Sequence, residues 1–116
     1  MKMPKPTEAD RDWFLSLVPD DPRVDVKPMF GNLGAFVNGN MFMGLFGADV
    51  GVRLDENDRE KLFAIEGAAA FGPEGRPMRE YVAMPGGWRQ SPDDAVRWVQ
   101  TALGHVAAMP PKAPGP

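Results

Sequence analysis

The chain has no cysteine, one histidine, one tyrosine and no long apolar run. Without cysteine there is no disulfide, no thiolate nucleophile and no cysteine-bound metal. The lone His105 is a poor metal site without a second histidine. As a general base it would need an orienting partner and a substrate pocket, and neither is legible in the sequence. It falls at the edge of an apolar helical stripe and reads as a boundary residue. No apolar stretch approaches the ~20 residues that span a bilayer. None follows the N-terminal Met-Lys-Met-Pro-Lys-Pro, so neither a membrane span nor a secretory leader is expected, and a cytoplasmic location is the default.

A basic surplus is lacking as well. The formal net charge is −3. Residues 1–71 hold 8 Lys/Arg against 12 Asp/Glu, and residues 72–116 hold 5 against 4. Neither part is the positive field that drives nucleic-acid binding, so direct binding of DNA or RNA is not expected. No motif calls for a cofactor. The Gly31-Asn32-Leu33-Gly34 spacing lacks the Gly-Lys-Ser/Thr of a phosphate loop and reads as a bulge or a tight link between strands.

What is present suffices for one core. The 116 residues are 43% hydrophobic and 25% charged, the proportions of a single globular domain. Thr7 and the acids after it read as a helix start. The pairs Trp13/Leu17 and Phe14/Val18 then lie on one face, and Pro19 stops the helix. From Val24 the apolar period becomes two, and Pro28 either marks that strand as an edge or ends it. Asn38-Gly39 between apolar runs predicts a two-residue type I′ hairpin. That register sets Val37 against Asn40, Phe36 against Met41, Ala35 against Phe42 and Gly34 against Met43. It puts Phe36, Met41, Met43 and Leu45 on one face and Ala35, Val37, Phe42 and Phe46 on the other. Both faces are apolar, so something must cover the second.

A strand over Val50–Leu54 follows. A helix is bracketed by Asp55 and Asp58 and carries Leu62, Phe63 and Ile65, with Gly67 as its C-cap. Residues 68–77 read as a loop and 78–83 as the last strand. Ser91-Pro92-Asp93-Asp94 opens a helix with Val96, Val99, Leu103 and Val106 on one face. The order α-β-β-β-β-α-β-α predicts an α+β fold with a single, mainly antiparallel sheet of about five strands and helices packed on it. The domain is expected over residues 1–109, with 110–116 as a disordered proline-rich tail.

Arg53 is the only charge in the second apolar hairpin. It either pairs with Asp55 or Glu80 or points into a groove, and Arg53, Arg76 and Tyr81 are the candidate contacts for a partner or an anion. The pairs Asp20-Asp21, Asp55/Asp58 and Asp93-Asp94 sit at turns and helix starts, where capping and the helix dipole account for them. Tyr81 and the tryptophans read as packing residues.

Met29, Phe30, Gly31, Gly34, Phe36-Val37-Asn38-Gly39, Met41-Phe42, Val52-Arg53-Leu54-Asp55, Phe71, Gly75-Arg76-Pro77-Met78 and Tyr81 together resemble the N-terminal domain family of the TfoX/Sxy regulators of bacterial competence. The likeness runs from about Val26 to the last helix. It implies an α+β fold with one antiparallel sheet, dimerisation and no catalytic constellation. Val50-Gly51-Val52-Arg53 departs from the bulkier, Tyr- and Lys-containing strand of many members. The expectation is therefore a non-catalytic protein-interaction or regulatory domain, a homodimer with Phe42 and Phe46 as contacts, linked to transcriptional regulation. The alternative is a sensor of a small molecule or anion at Arg53 and Arg76. An enzyme ranks last.

Overall fold

The computed structural model describes residues 4–112. Thr7 closes a capping box with Asp10, its hydroxyl accepting from the Asp10 amide and the Asp10 carboxylate accepting from its own, and helix α1 follows over Glu8–Leu17. Phe14 and Leu17 are its buried residues on the core.

Four strands come next: β1 Val24–Met29, β2 Asn32–Val37, β3 Asn40–Phe46 and β4 Asp49–Arg53. Two-residue turns join the first three. Phe30 and Gly31 have φ 49° and 81°, and Asn38 and Gly39 have φ 53° and 76°, so each turn needs two left-handed residues. The Gly31/Gly34 motif is therefore a tight link between strands. Asp55 caps helix α2, Glu56–Phe63, by accepting from the Asp58 amide. Leu62 is the buried residue of α2, whereas Phe63 is exposed and Ile65, beyond the helix, packs in part. The helix gives way at Ala64, and the left-handed residue Gly67 lies further on.

The stretch 68–83 holds two short strands: β5 Ala69–Ala70 and β6 Tyr81–Ala83. All neighbouring strands are antiparallel, in the order β1-β2-β3-β4-β6-β5, so the sheet has six strands and β1, with Pro28, is an edge. A 3₁₀ turn, Gly86–Gln90, leads to helix α3, Asp93–Ala107. Its buried stripe is Ala95, Val99, Ala102, Leu103 and Val106. Val96 is exposed, because the smaller Ala95 faces the sheet at the first turn.

Helices α1 and α3 lie against one face of the sheet, the inner face. Its core contains Ala35, Val37, Phe42, Met43, Leu45, Val50, Val52 and Val82. The hairpin register holds at Val37/Asn40 and Phe36/Met41 and then shifts, so that Ala35 opposes Met43 and Gly34 opposes Gly44. One extra residue in β3 inverts the pleat. Met43 and Leu45 thus join the inner face, and Phe42, at the bulge, is fully buried there. This corrects the expectation for Phe42, which is closed off inside the protomer and not available as a dimer contact.

Residues 110–112, assigned from sequence to the tail, are held by the hairpin turn. The Asn40 side-chain amide donates to the Pro110 carbonyl at 3.2 Å, and the Lys112 amide donates to the Asn38 carbonyl at 2.8 Å. The rest of the expected tail, 113–116, lies outside the described residues.

Candidate functional site

The outer face of the sheet is built around missing side chains. Gly34 pairs with Gly44, Gly44 with Gly51, and Gly51 with Ala83. This row crosses the sheet as a shallow trench. Larger side chains lie in it: a Cβ at Gly34 would stand 2.8 Å from the Met41 sulfur, and one at Gly51 would overlap the Phe71 ring. Glycine inside a strand often marks such a close approach.

Phe71 is 2% exposed yet stands apart from the inner core. Its ring meets Phe46 edge-on at 6.2 Å and Tyr81 at 5.9 Å between centroids. The loop that follows is closed at its neck, where the Met78 amide donates to the Phe71 carbonyl at 2.8 Å. Within it the Arg76 amide donates to the Pro73 carbonyl at 3.0 Å, and Gly75 has φ 82° at the third position of that turn. The apolar outer face is thus covered in its centre by the chain's own loop. That removes part of the physical ground on which self-association was expected.

A cavity of about 320 Å³ remains beside Phe71. Met29, Met41, Phe46, Phe71 and Met78 are among the large apolar residues of its wall, and Arg76 is the only charged residue that lines it. Asn32 also lines it, but its amide is engaged: the oxygen accepts from the Gly47 amide at 2.9 Å and the nitrogen donates to the Pro4 carbonyl at 3.2 Å. Phe30 stands at the edge, 79% exposed, at a backbone φ that bulky L residues avoid.

The other expected site residues are spread more widely. Arg53 pairs with Glu80 at 3.0 Å, as one of its sequence readings has it, and its Nε is buried without a hydrogen-bond partner. It does not line the cavity that Arg76 lines. Tyr81 donates its hydroxyl to the Met41 carbonyl at 2.8 Å, next to the bulge that interrupts the β2–β3 ladder. Burial pushes the Tyr81 phenol up, Glu80 adds to this, and Arg53 opposes it. Tyr81 borders a separate groove of about 290 Å³ with the exposed Phe63 and Arg79. Phe46 is half-buried on the cavity wall, and Met29, Phe30 and Gly34 belong to the same face. Gly31, Asn38, Gly39 and Gly75 are turn residues with positive φ.

Met78, which the sequence marks only as part of the family motif, closes the loop; Arg89, not singled out there, bridges Asp10 at 2.7 Å and the Ala48 carbonyl at 3.0 Å. The glycines at 34, 44 and 51 were the available signal for the trench. Their alignment depends on the bulge, which the alternation does not announce. Among the described residues no group of three or more His, Cys, Asp or Glu is placed to hold a metal ion. No helix among them is long and apolar enough to cross a membrane. His105 is half-buried at the edge of the α3 stripe.

Compared with known protein families, residues 16–106 match the TfoX N-terminal domain. No curated protein matches the chain.

Proposed function

The chain belongs to the TfoX N-terminal domain family, and from that premise we propose that it is a non-catalytic regulatory domain that works by binding through the outer face of its sheet. The observation that carries this reading is the apolar cavity between the glycine trench and the 71–78 loop, with Phe30 held exposed at its edge. Large apolar side chains kept exposed in a strained conformation point to use, since folding alone favours neither.

The test is occupancy. Nile red, a neutral apolar dye, should gain fluorescence with the wild-type domain. Met78→Trp, which enlarges a residue of the cavity wall, should abolish that gain while circular dichroism stays unchanged. Equal dye binding by both proteins sinks the assignment of the site.

A second reading, a homodimer through the same face, is favoured by Phe30 itself. A knob and a hole on one patch are self-complementary, as a two-fold interface requires. Sedimentation at micromolar concentration would then show a dimer that Phe30→Glu dissociates. A monomer at every concentration ends that reading.

A further inference from the structure

We propose that the outer-face cavity binds a single-chain amphipathic carboxylate, its hydrocarbon part among Met29, Met41, Phe46 and Phe71 and its carboxylate on the guanidinium of Arg76. The inference rests on the reading that this cavity is the working site, and it names the chemistry of the occupant.

Size sets the first limit. At about 320 Å³ the cavity lies at the small end of the ~300–1,000 Å³ range of ligand pockets. A short hydrocarbon chain fits there and a dinucleotide does not. The character of the wall sets the second. Three methionines, Met29, Met41 and Met78, line it, and their unbranched, adaptable side chains suit a flexible hydrocarbon chain.

Hydrogen bonding sets the third. Each polar atom of the Asn32 amide already has a protein partner and the residue is buried, so it is poorly placed to serve a ligand. Arg76 makes no ion pair among the described residues and is exposed at the cavity's open side. The wall thus presents one unspent polar side chain, a planar donor fork. A ligand with several hydroxyls or amides would bury them unpaired, at a penalty for each. A ligand with one anionic end and an apolar remainder leaves nothing unpaired. The guanidinium matches a carboxylate through two parallel hydrogen bonds. Phe30, at the edge, gains burial if it closes over the ligand's chain.

The experiment titrates the isotope-labelled full chain with sodium octanoate, 1-octanol and octyltrimethylammonium, following amide shifts by NMR. Octanoate should bind with shifts at Gly44, Phe71 and Arg76. Octanol should bind at least about tenfold more weakly, because it lacks the charge-assisted pair. The cationic analogue should not bind. Arg76→Gln lies in an exposed turn, should keep the fold, and should reduce octanoate to the level of octanol.

If octanol equals octanoate, or Arg76→Gln is indifferent, the anionic head group is refuted while the cavity stands as a binding site. If octanoate fails and Nile red also fails, the cavity reading falls with it. If octanoate fails but phosphatidylglycerol vesicles bind, or a Phe30-dependent dimer forms, the occupant is a lipid surface or a second copy, and the proposal is overturned.

Discussion

Phe30 holds a benzyl side chain at φ 49°, where an L residue loses roughly 1–2 kcal/mol relative to its preferred conformations. Glycine at that position would relieve the strain but lose about 0.5–1 kcal/mol through the greater freedom of the unfolded chain. The balance predicts that Phe30→Gly raises Tm by a few degrees, on the order of 2–4 °C, while binding at the cavity weakens. Phe30→Ala keeps the strain and should show no such rise. A lower Tm for the glycine variant in thermal melts would remove strain as the reason for regarding Phe30 as functional. Tyr81 is a second residue whose polar group has an identifiable task. Its hydroxyl satisfies the Met41 carbonyl beside the bulge, so Tyr81→Phe leaves that acceptor without its donor. A loss of about 1–2 kcal/mol is expected in urea denaturation. Both tyrosine and phenylalanine fill the ring's place, so an unchanged midpoint would show that water replaces the hydroxyl.

At the scale of elements, the decisive contact is a ring lying on a strand that has no side chain beneath it. A Cβ at Gly51 would overlap Phe71, and the ring's place between Phe46 and Tyr81 leaves it little room to shift. Gly51→Ala should therefore cost about 1–3 kcal/mol by overpacking and release the 71–78 loop. Gly86→Ala, where the new methyl meets open space, should stay within about 0.5 kcal/mol. The double variant Gly51→Ala/Phe71→Ala should lose less than the sum of the two single variants, because each removes the other's clash or contact. Strict additivity in denaturant midpoints would show that the ring does not sit on Gly51. Helix caps at Thr7 and Asp55 and the turn at Asn38-Gly39 were legible because each is a local hydrogen-bonding or backbone requirement. The β3 bulge was not. It adds a residue that no turn signal marks, and every side chain beyond it changes face.

For the whole molecule, local hydrogen bonds and one long-range ion pair together set the pH dependence of stability. Asp10 is held below its ordinary 3.8 by the Thr7 amide first and then by the Arg89 guanidinium, and the Arg89 pair links α1 to the turn after β6. Asp21 is lowered to about 2 by hydrogen bonds from Arg23. A depressed carboxyl contributes above its unfolded value and loses that contribution as pH falls through its folded one. The raised phenol of Tyr81 acts oppositely: its contribution is full below the ordinary 10.0 and fades as pH climbs through the folded value. Urea midpoints should therefore show an acid loss below about pH 4 and an alkaline loss above about pH 10. Arg89→Ala should soften the acid limb, and Tyr81→Phe the alkaline one. Limbs unmoved by these variants would assign the titration to other groups. The Asn38 side-chain amide joins two distant parts of the chain by donating to the Ala107 carbonyl at 3.1 Å, near the end of α3.

The order of the elements apart from the short β5, the α+β class and the two-residue Asn-Gly turn follow from the sequence alone, because apolar period, capping side chains and positive φ act over a few residues. The outer-face cavity was decided only in three dimensions. It needs a bulge that aligns Gly34, Gly44 and Gly51 across three strands, and a loop some twenty residues further on that lays Phe71 over Gly44 and Gly51. Local preferences do not encode which strand residues will stand opposite one another once a single residue slips out of register, nor that Arg76 lines the cavity while Arg53 pairs with Glu80.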